Sequence, residues 1–267
     1  MNFARPIEAI IPGVQGRVLA VLAETTAELN LRTIARLSEV SLAQASRVLP
    51  GLVELGLVER REAPPSSLFR LVREHVVARP LVEMARARDA MVEEMRRAAG
   101  NLPVVPVSVI VFGSFARGEA DEESDIDAVF VRPADANEAD EEWSTSVEQW
   151  RDAMRRASGN RVEVLEVGAA EVAARLGSKQ QVWREIRRDG LVVHGLSLDA
   201  LEKRVSAEAD ADENRERRPG ARLHSQGRGV RRRRIERTRG WTYDRRNEPG
   251  DPRRDQFRRR RVRRKAR

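Results

Sequence analysis

Residues 109–131 read VIVFGSFARGEADEESDIDAVFV. Two apolar runs enclose a Gly-Ser and a short polar segment, and the second run opens with Asp125-Ile126-Asp127. Asp is among the poorest strand formers, so two of them at the head of a strand ask for a reason other than stability. Residues two apart on a strand leave the same face, so Asp125 and Asp127 emerge together while Ile126 turns into the core. Side by side, the carboxylates repel each other. A pair of divalent cations bridging to polyphosphate oxygens removes that repulsion, and magnesium prefers such oxygen-rich company. Gly113 and Ser114 end the first strand and start a short helix, where a residue without Cβ lets the backbone approach phosphate oxygens. The free N–H groups there and the Ser114 hydroxyl supply donors. Arg117, one turn on, adds a cation, Gly118 ends the helix, and Ser124 is a local hydrogen-bonding partner just ahead of the pair.

Transfer chemistry at such a site benefits from a further carboxylate that binds the second metal and helps deprotonate the attacking hydroxyl. The next apolar run, RVEVLEV at 161–167, offers Glu163 and Glu166. Three positions apart, they cannot share a face of a regular strand. Glu163, flanked by Val162 and Val164, is the expected third carboxylate and Glu166 the reserve.

Upstream, VQGRVLAVLAE at 14–24 has helical spacing, and Asn30 can cap a short helix, LRTIARLSE, with Leu31, Ile34, Ala35 and Leu37 apolar. Ser41 with Gln44 forms a capping box for a third helix that Gly56 ends. Pro50 inside it lacks a helical N–H and predicts a kink or an early stop. LVERREAPPSSLFRLV then reads as strand, Pro-rich tip, strand. Three helices and a hairpin resemble the MarR-type winged helix-turn-helix of bacterial regulators. That resemblance implies DNA contact through Gln44, Ser46 and Arg47 on the recognition helix and Arg60, Arg61 and Arg70 on the wing. A helical packing or dimerisation module is the plainer alternative.

Residues 79–99 predict one long amphipathic helix opened by Pro80, with Leu81, Met84, Ala85, Met91, Val92 and Met95 as its core stripe and the Arg88 head in water. A helix over 136–158 follows the Asp strand, with Trp143 and Trp150 seven apart as core anchors. After RVEVLEV come two helical segments, the short strand LVVHG and a last helix. His75, His194 and His224 show no zinc-ligand spacing.

Charge is unevenly spread. Residues 207–267 carry 23 Lys/Arg against 10 Asp/Glu, a net +13, which leaves residues 1–206 at −5 within the whole-chain +8. The tail, with RRRR at 231–234 and RRRRVRRK at 258–265, cannot bury enough apolar surface to fold and predicts a disordered arm. It is open to three readings: a nucleic-acid-binding arm, a solvated extension, or a reading-frame artefact of a GC-rich gene. No cysteine is present, which excludes disulfides and thiolate chemistry. No apolar stretch approaches the roughly 18 residues of a membrane span, and the N-terminus lacks a signal-peptide pattern, so a cytoplasmic protein is expected.

The complete constellation is Gly113-Ser114, ten residues, then Asp125-x-Asp127 between two apolar strands, with a later carboxylate strand. It resembles the nucleotidyltransferase superfamily that includes DNA polymerase β, and most of all its minimal prokaryotic members. The resemblance implies an α+β fold: residues 1–76 a winged helix-turn-helix domain, 77–206 a transferase domain with a small mixed sheet flanked by helices, and 207–267 the disordered basic tail. It further implies that Gly113 and Ser114 hold the phosphates of an NTP, with ATP the expected one; Arg117 and Ser124 are expected at the nucleotide by their positions alone. Asp125, Asp127 and Glu163 would ligate two Mg²⁺ ions. Family members often carry Asp at the third position, and Glu is one methylene longer. The implied activity is NMP transfer to a hydroxyl of a protein or tRNA within a toxin–antitoxin system, the toxin being of the HEPN type. Winged helices often form homodimers. A transcriptional regulator whose transferase-like domain only senses nucleotide is the alternative.

Overall fold

The computed structural model describes residues 1–203; the Arg-rich tail expected at 207–267 lies outside the described residues. The chain opens with helices α1 (Pro6–Ile10) and α2 (Val14–Glu24), followed by a two-residue strand β1 (Leu29–Asn30) and helices α3 (Leu31–Leu37) and α4 (Leu42–Glu54). Both expected caps form. The Asn30 side chain accepts from the Thr33 N–H, and Ser41 and Gln44 exchange both bonds of the capping box. Strands β2 (Val58–Ala63) and β3 (Ser66–Leu71) pair antiparallel as the wing, and β1 adds to the outer side of β3. Ile34, Leu49, Leu52, Val58 and Leu71 close the core of this half together with Val18 and Leu22.

Two expectations are corrected here. Pro50 does not stop α4, which runs on to Glu54. Burial of Ala45, Leu49 and Leu52 on one face holds the helix against the loss of a single hydrogen bond. Leu37 faces solvent at 47% exposure, because α3 ends there and the buried stripe is Ile34 and Ala35.

The long helix expected at 79–99 is two, α5 (Ala78–Ala85) and α6 (Ala87–Gly100), broken at Arg86. The reason is that the halves serve different cores. Ala78 and Leu81 pack with the winged half, while Met91, Met95 and Ala99 pack under the second sheet. The break lets the apolar stripe change partners.

The second sheet has the order β6-β5-β4-β7, built from β4 (Ser108–Phe112), β5 (Ile126–Arg132), β6 (Val162–Gly168) and β7 (Leu191–Gly195). It is mixed, with β5–β6 parallel and the other two pairs antiparallel. Helix α7 (Gly113–Arg117) links β4 to β5, α8 (Glu141–Ser158) links β5 to β6, and α9 (Val172–Leu176) with α10 (Gln181–Asp189) leads back to β7. Side chains alternate across β5. Ile126, Ala128 and Phe130 face α6 and α8, and Val129 and Val131 face α9 and α10. Trp143 and Trp150 are fully buried on α8 and meet Phe130 edge-on, at centroid distances of 6.3 and 5.0 Å.

Candidate nucleotide and metal site

β4 and β5 place Phe112 opposite Asp127, and the parallel pair places Asp127 beside Glu163. Asp127 therefore stands between the turn that follows β4 and the carboxylate strand. Gly113 holds φ at +72°, and a Cβ there would lie 2.7 Å from Asp127 Oδ2. Only glycine accommodates both the left-handed backbone and that approach. Asp125 sits just before the strand begins, half-buried like Asp127, while Ile126 between them is fully buried on the opposite face.

The Asp127 carboxylate makes no hydrogen bond or ion pair among the described residues. Its carboxyl is pushed up to about 6, first by burial and then by the negative charges of Asp125, Glu163 and Glu185. Arg161 reaches Asp125 at 3.9 Å and Glu163 at 3.5 Å but forms no ion pair with Asp127. Hard oxygen donors that repel one another, with one left unpaired, suit a divalent cation. Asp125 and Asp127 supply the core of such a set. Glu163 is exposed and turned to Arg161, and among the described residues no three such side chains converge on one point.

Glu166 belongs to the other face. It accepts a hydrogen bond from Trp143 Nε1 on α8, so strand alternation excludes it from this site. Arg117 pairs with Glu119 at 2.8 Å and Asp189 at 3.4 Å, which ties α7 to the end of α10. Ser124 holds the loop before β5, its hydroxyl donating to Asp121 Oδ1 at 2.7 Å and accepting from the Asp121 N–H. The Ser114 carbonyl accepts from the Glu119 N–H, and its hydroxyl has no partner among the described residues.

Three contributors were not anticipated. Glu185 on α10 reaches Asp127 electrostatically and accepts from Gln181 Nε2. Arg88, expected to end in water, instead donates to the Phe115 and Ala116 carbonyls and covers the Phe115 ring at 5.6 Å, steadying α7. Asn160 bridges the loop before β5. Interruption of an apolar stripe was the one signal for Arg88; nothing local marked the other two.

On the winged half, α4 and the wing flank a groove of about 810 Å³ lined by Leu42, Ser46, Pro50, Val53, Arg60 and Phe69, among others. Gln44 is engaged in its capping box and Ser46 donates to the Ala43 carbonyl. Each expected wing cation faces a glutamate: Arg60 with Glu62, Arg61 with Glu28, and Arg70 with Glu59. Arg47 is exposed and without a partner among the described residues, and so are Arg32 and Arg36 on α3.

The model of the nucleotidyltransferase domain family matches residues 91–188, and that of the IclR helix-turn-helix domain matches residues 16–62. The helix-turn-helix match is thus to the IclR type and not to the expected MarR type. Three helices and a hairpin are common to both, so their order could not separate them. No curated protein matches the chain. Two solved structures are similar to it: a toxin–antitoxin with AMP-PNP, 14% identical, and a mutant of the toxin-antitoxin MntA-HpeT, 11% identical. Each covers 48% of this chain and 91% of the matched chain, at a TM-score of 0.29.

Proposed function

We propose that this nucleotidyltransferase moves an NMP from an NTP, ATP being the expected donor, to a hydroxyl of a protein or tRNA acceptor. The observation that carries the reading is the approach of the Gly113 turn to Asp127, with Glu163 in register on the adjoining strand. In this reading Asp125 and Asp127 hold the divalent cations and Glu163 completes the set. The Gly113–Ser114 turn receives the phosphates, its lack of Cβ leaving the backbone open to them. When bound, two Mg²⁺ ions would neutralise charge on the triphosphate and make the acceptor hydroxyl easier to ionise. The acceptor oxygen then forms its bond to the α-phosphorus as the bond to the pyrophosphate oxygen breaks. The hydroxyl proton passes to a carboxylate of the cluster, with Glu163 the assigned acceptor. Arg117 and Ser124 act on the walls of the site, fixing α7 and the loop before β5.

The test is label transfer. With α-³²P-labelled NTPs, Mg²⁺ and candidate protein and tRNA acceptors, the wild-type protein labels an acceptor, and Asp125→Ala with Asp127→Ala does not. Undiminished labelling by the double variant would sink the assignment. Acceptor trials should include any small toxin-like protein encoded beside this chain, as expected for a toxin–antitoxin pair.

A second reading is favoured by the exposed Glu163 and its pairing with Arg161. There the same site senses nucleotide and the helix-turn-helix domain regulates transcription. ATP-responsive, sequence-selective DNA binding without label transfer would select it. The helix-turn-helix domain offers Gln44, Ser46 and Arg47 to DNA in either reading, so an autoregulated enzyme satisfies both.

A further inference from the structure

The transferase reading makes no use of Asn160, yet its side chain is buried, 3% exposed, where α8 gives way to β6. Its Nδ2 donates to two carbonyls of a single loop, Asp121 and Ser124, each at 2.9 Å. Its Oδ1 accepts from the Met1 amine, and its main-chain N–H donates to Ser158 Oγ. The loop it grips is a small closed turn, held internally by the Asp121 and Ser124 side chains. Asp125 follows that turn directly. One residue after Asn160, the Arg161 carbonyl accepts from the Ile126 N–H at 2.8 Å, and this bond starts the β5–β6 ladder.

A hairpin fixes register through its turn, but a parallel pair has no such turn. Here Asp127 and Glu163 lie on a parallel pair, with Asp125 just ahead of it and all of α8 between its strands. A slip of one residue would carry Asp127 to the wrong face. Asn160 and Arg161 grip the loop and the first residue of β5 together, and Glu163 follows two positions later.

We infer that Asn160 is a positioning residue. It sets Asp125 and Asp127 in register with Glu163 and so determines how tightly the site holds divalent cations. This inference rests on the transferase reading. Partners one layer behind metal ligands commonly change metal affinity by about 10–100-fold when removed.

The full chain can be titrated with Mn²⁺ by electron paramagnetic resonance and assayed in parallel for label transfer over a range of Mg²⁺ concentrations. Asn160→Ala should weaken Mn²⁺ binding about tenfold, and its transfer should recover as Mg²⁺ is raised. Asn160→Asp keeps the volume but sets an oxygen against both loop carbonyls, and should do the same or worse. It carries the test should Asn160→Ala fail to fold. Ser158→Ala removes the bond at the same turn while leaving the Nδ2 donors, and should bind Mn²⁺ like the wild type. Wild-type Mn²⁺ affinity in both Asn160 variants overturns the inference. So does a loss in Ser158→Ala equal to theirs, since general loosening would then explain it. A folded wild type that neither binds Mn²⁺ nor transfers label overturns the transferase reading itself, and the inference falls with it.

Discussion

At Gly113, any side chain would have to share space with the Asp127 carboxylate while the backbone stays at φ +72°. Gly113→Ala should therefore cost about 1–2 kcal/mol of stability in thermal or urea unfolding. Label transfer should fall by far more than so small a destabilisation could explain, because the methyl group displaces Asp127. A variant with full transfer would show that the turn does not abut the reacting groups. Asp127 supports a second prediction. Its carboxyl lies near 6 in the folded chain against an ordinary value of 3.8, so the folded state holds the proton more tightly than the unfolded one. The resulting stabilisation is complete below about pH 4 and is lost as pH rises through about 6. The carboxylate keeps some solvent contact, so the loss is about 1 kcal/mol rather than the full linkage value. Urea unfolding in EDTA at pH 4 and pH 7 should show that decrement in the wild type and not in Asp127→Asn. Coincident pH dependences would refute it.

Among the elements, β6 separates two glutamates by the alternation of a strand. Glu163 stands beside Asp127, and Glu166 turns away to the Trp143 indole. Glu166→Ala should leave that indole N–H without its acceptor and cost about 1–2 kcal/mol, with transfer close to wild type. Glu163→Ala should lower transfer about 100-fold with little effect on stability. Equal loss of transfer in both variants would mean that the site straddles the sheet, contrary to the register. The break between α5 and α6 also belongs to this scale. Arg86 is exposed, and both flanking segments are good amphipathic helices. Only the presence of two separate cores explains why the stripe stops and restarts.

For the whole molecule, the first residues of the chain reach the transferase half. Phe3 meets Phe115 edge-on at 5.0 Å, and the Phe3 and Ala4 N–H groups donate to the Ala120 carbonyl. The surface that would meet DNA depends equally on tertiary pairing. The wing carries Arg60, Arg61 and Arg70, but Glu62, Glu28 and Glu59 neutralise them, whereas Arg47 is exposed and has no partner among the described residues. Arg47→Ala should therefore reduce the slope of log affinity against log salt by about 0.9, while Arg61→Ala and Arg70→Ala should change it less. Fluorescence anisotropy with a duplex over a range of salt concentrations would decide this. A larger effect from the wing substitutions would show that the glutamate pairs open on binding.

From the chain alone, local chemistry specified the caps at Asn30 and Ser41, the hairpin of the wing, and the strand–turn–strand around Gly113 and Asp125. It also opposed Glu163 to Glu166, because alternation and capping act over a few residues. Tertiary structure settled the remainder: that β6 runs parallel beside β5, that Glu163 is therefore the neighbour of Asp127, and that Glu185, Arg88 and Asn160 come to the site from distant segments. It likewise paired the wing arginines with glutamates and split the long helix. Those outcomes depend on register and on competition for buried surface, which are properties of the packed chain and carry no signature in any short window of residues.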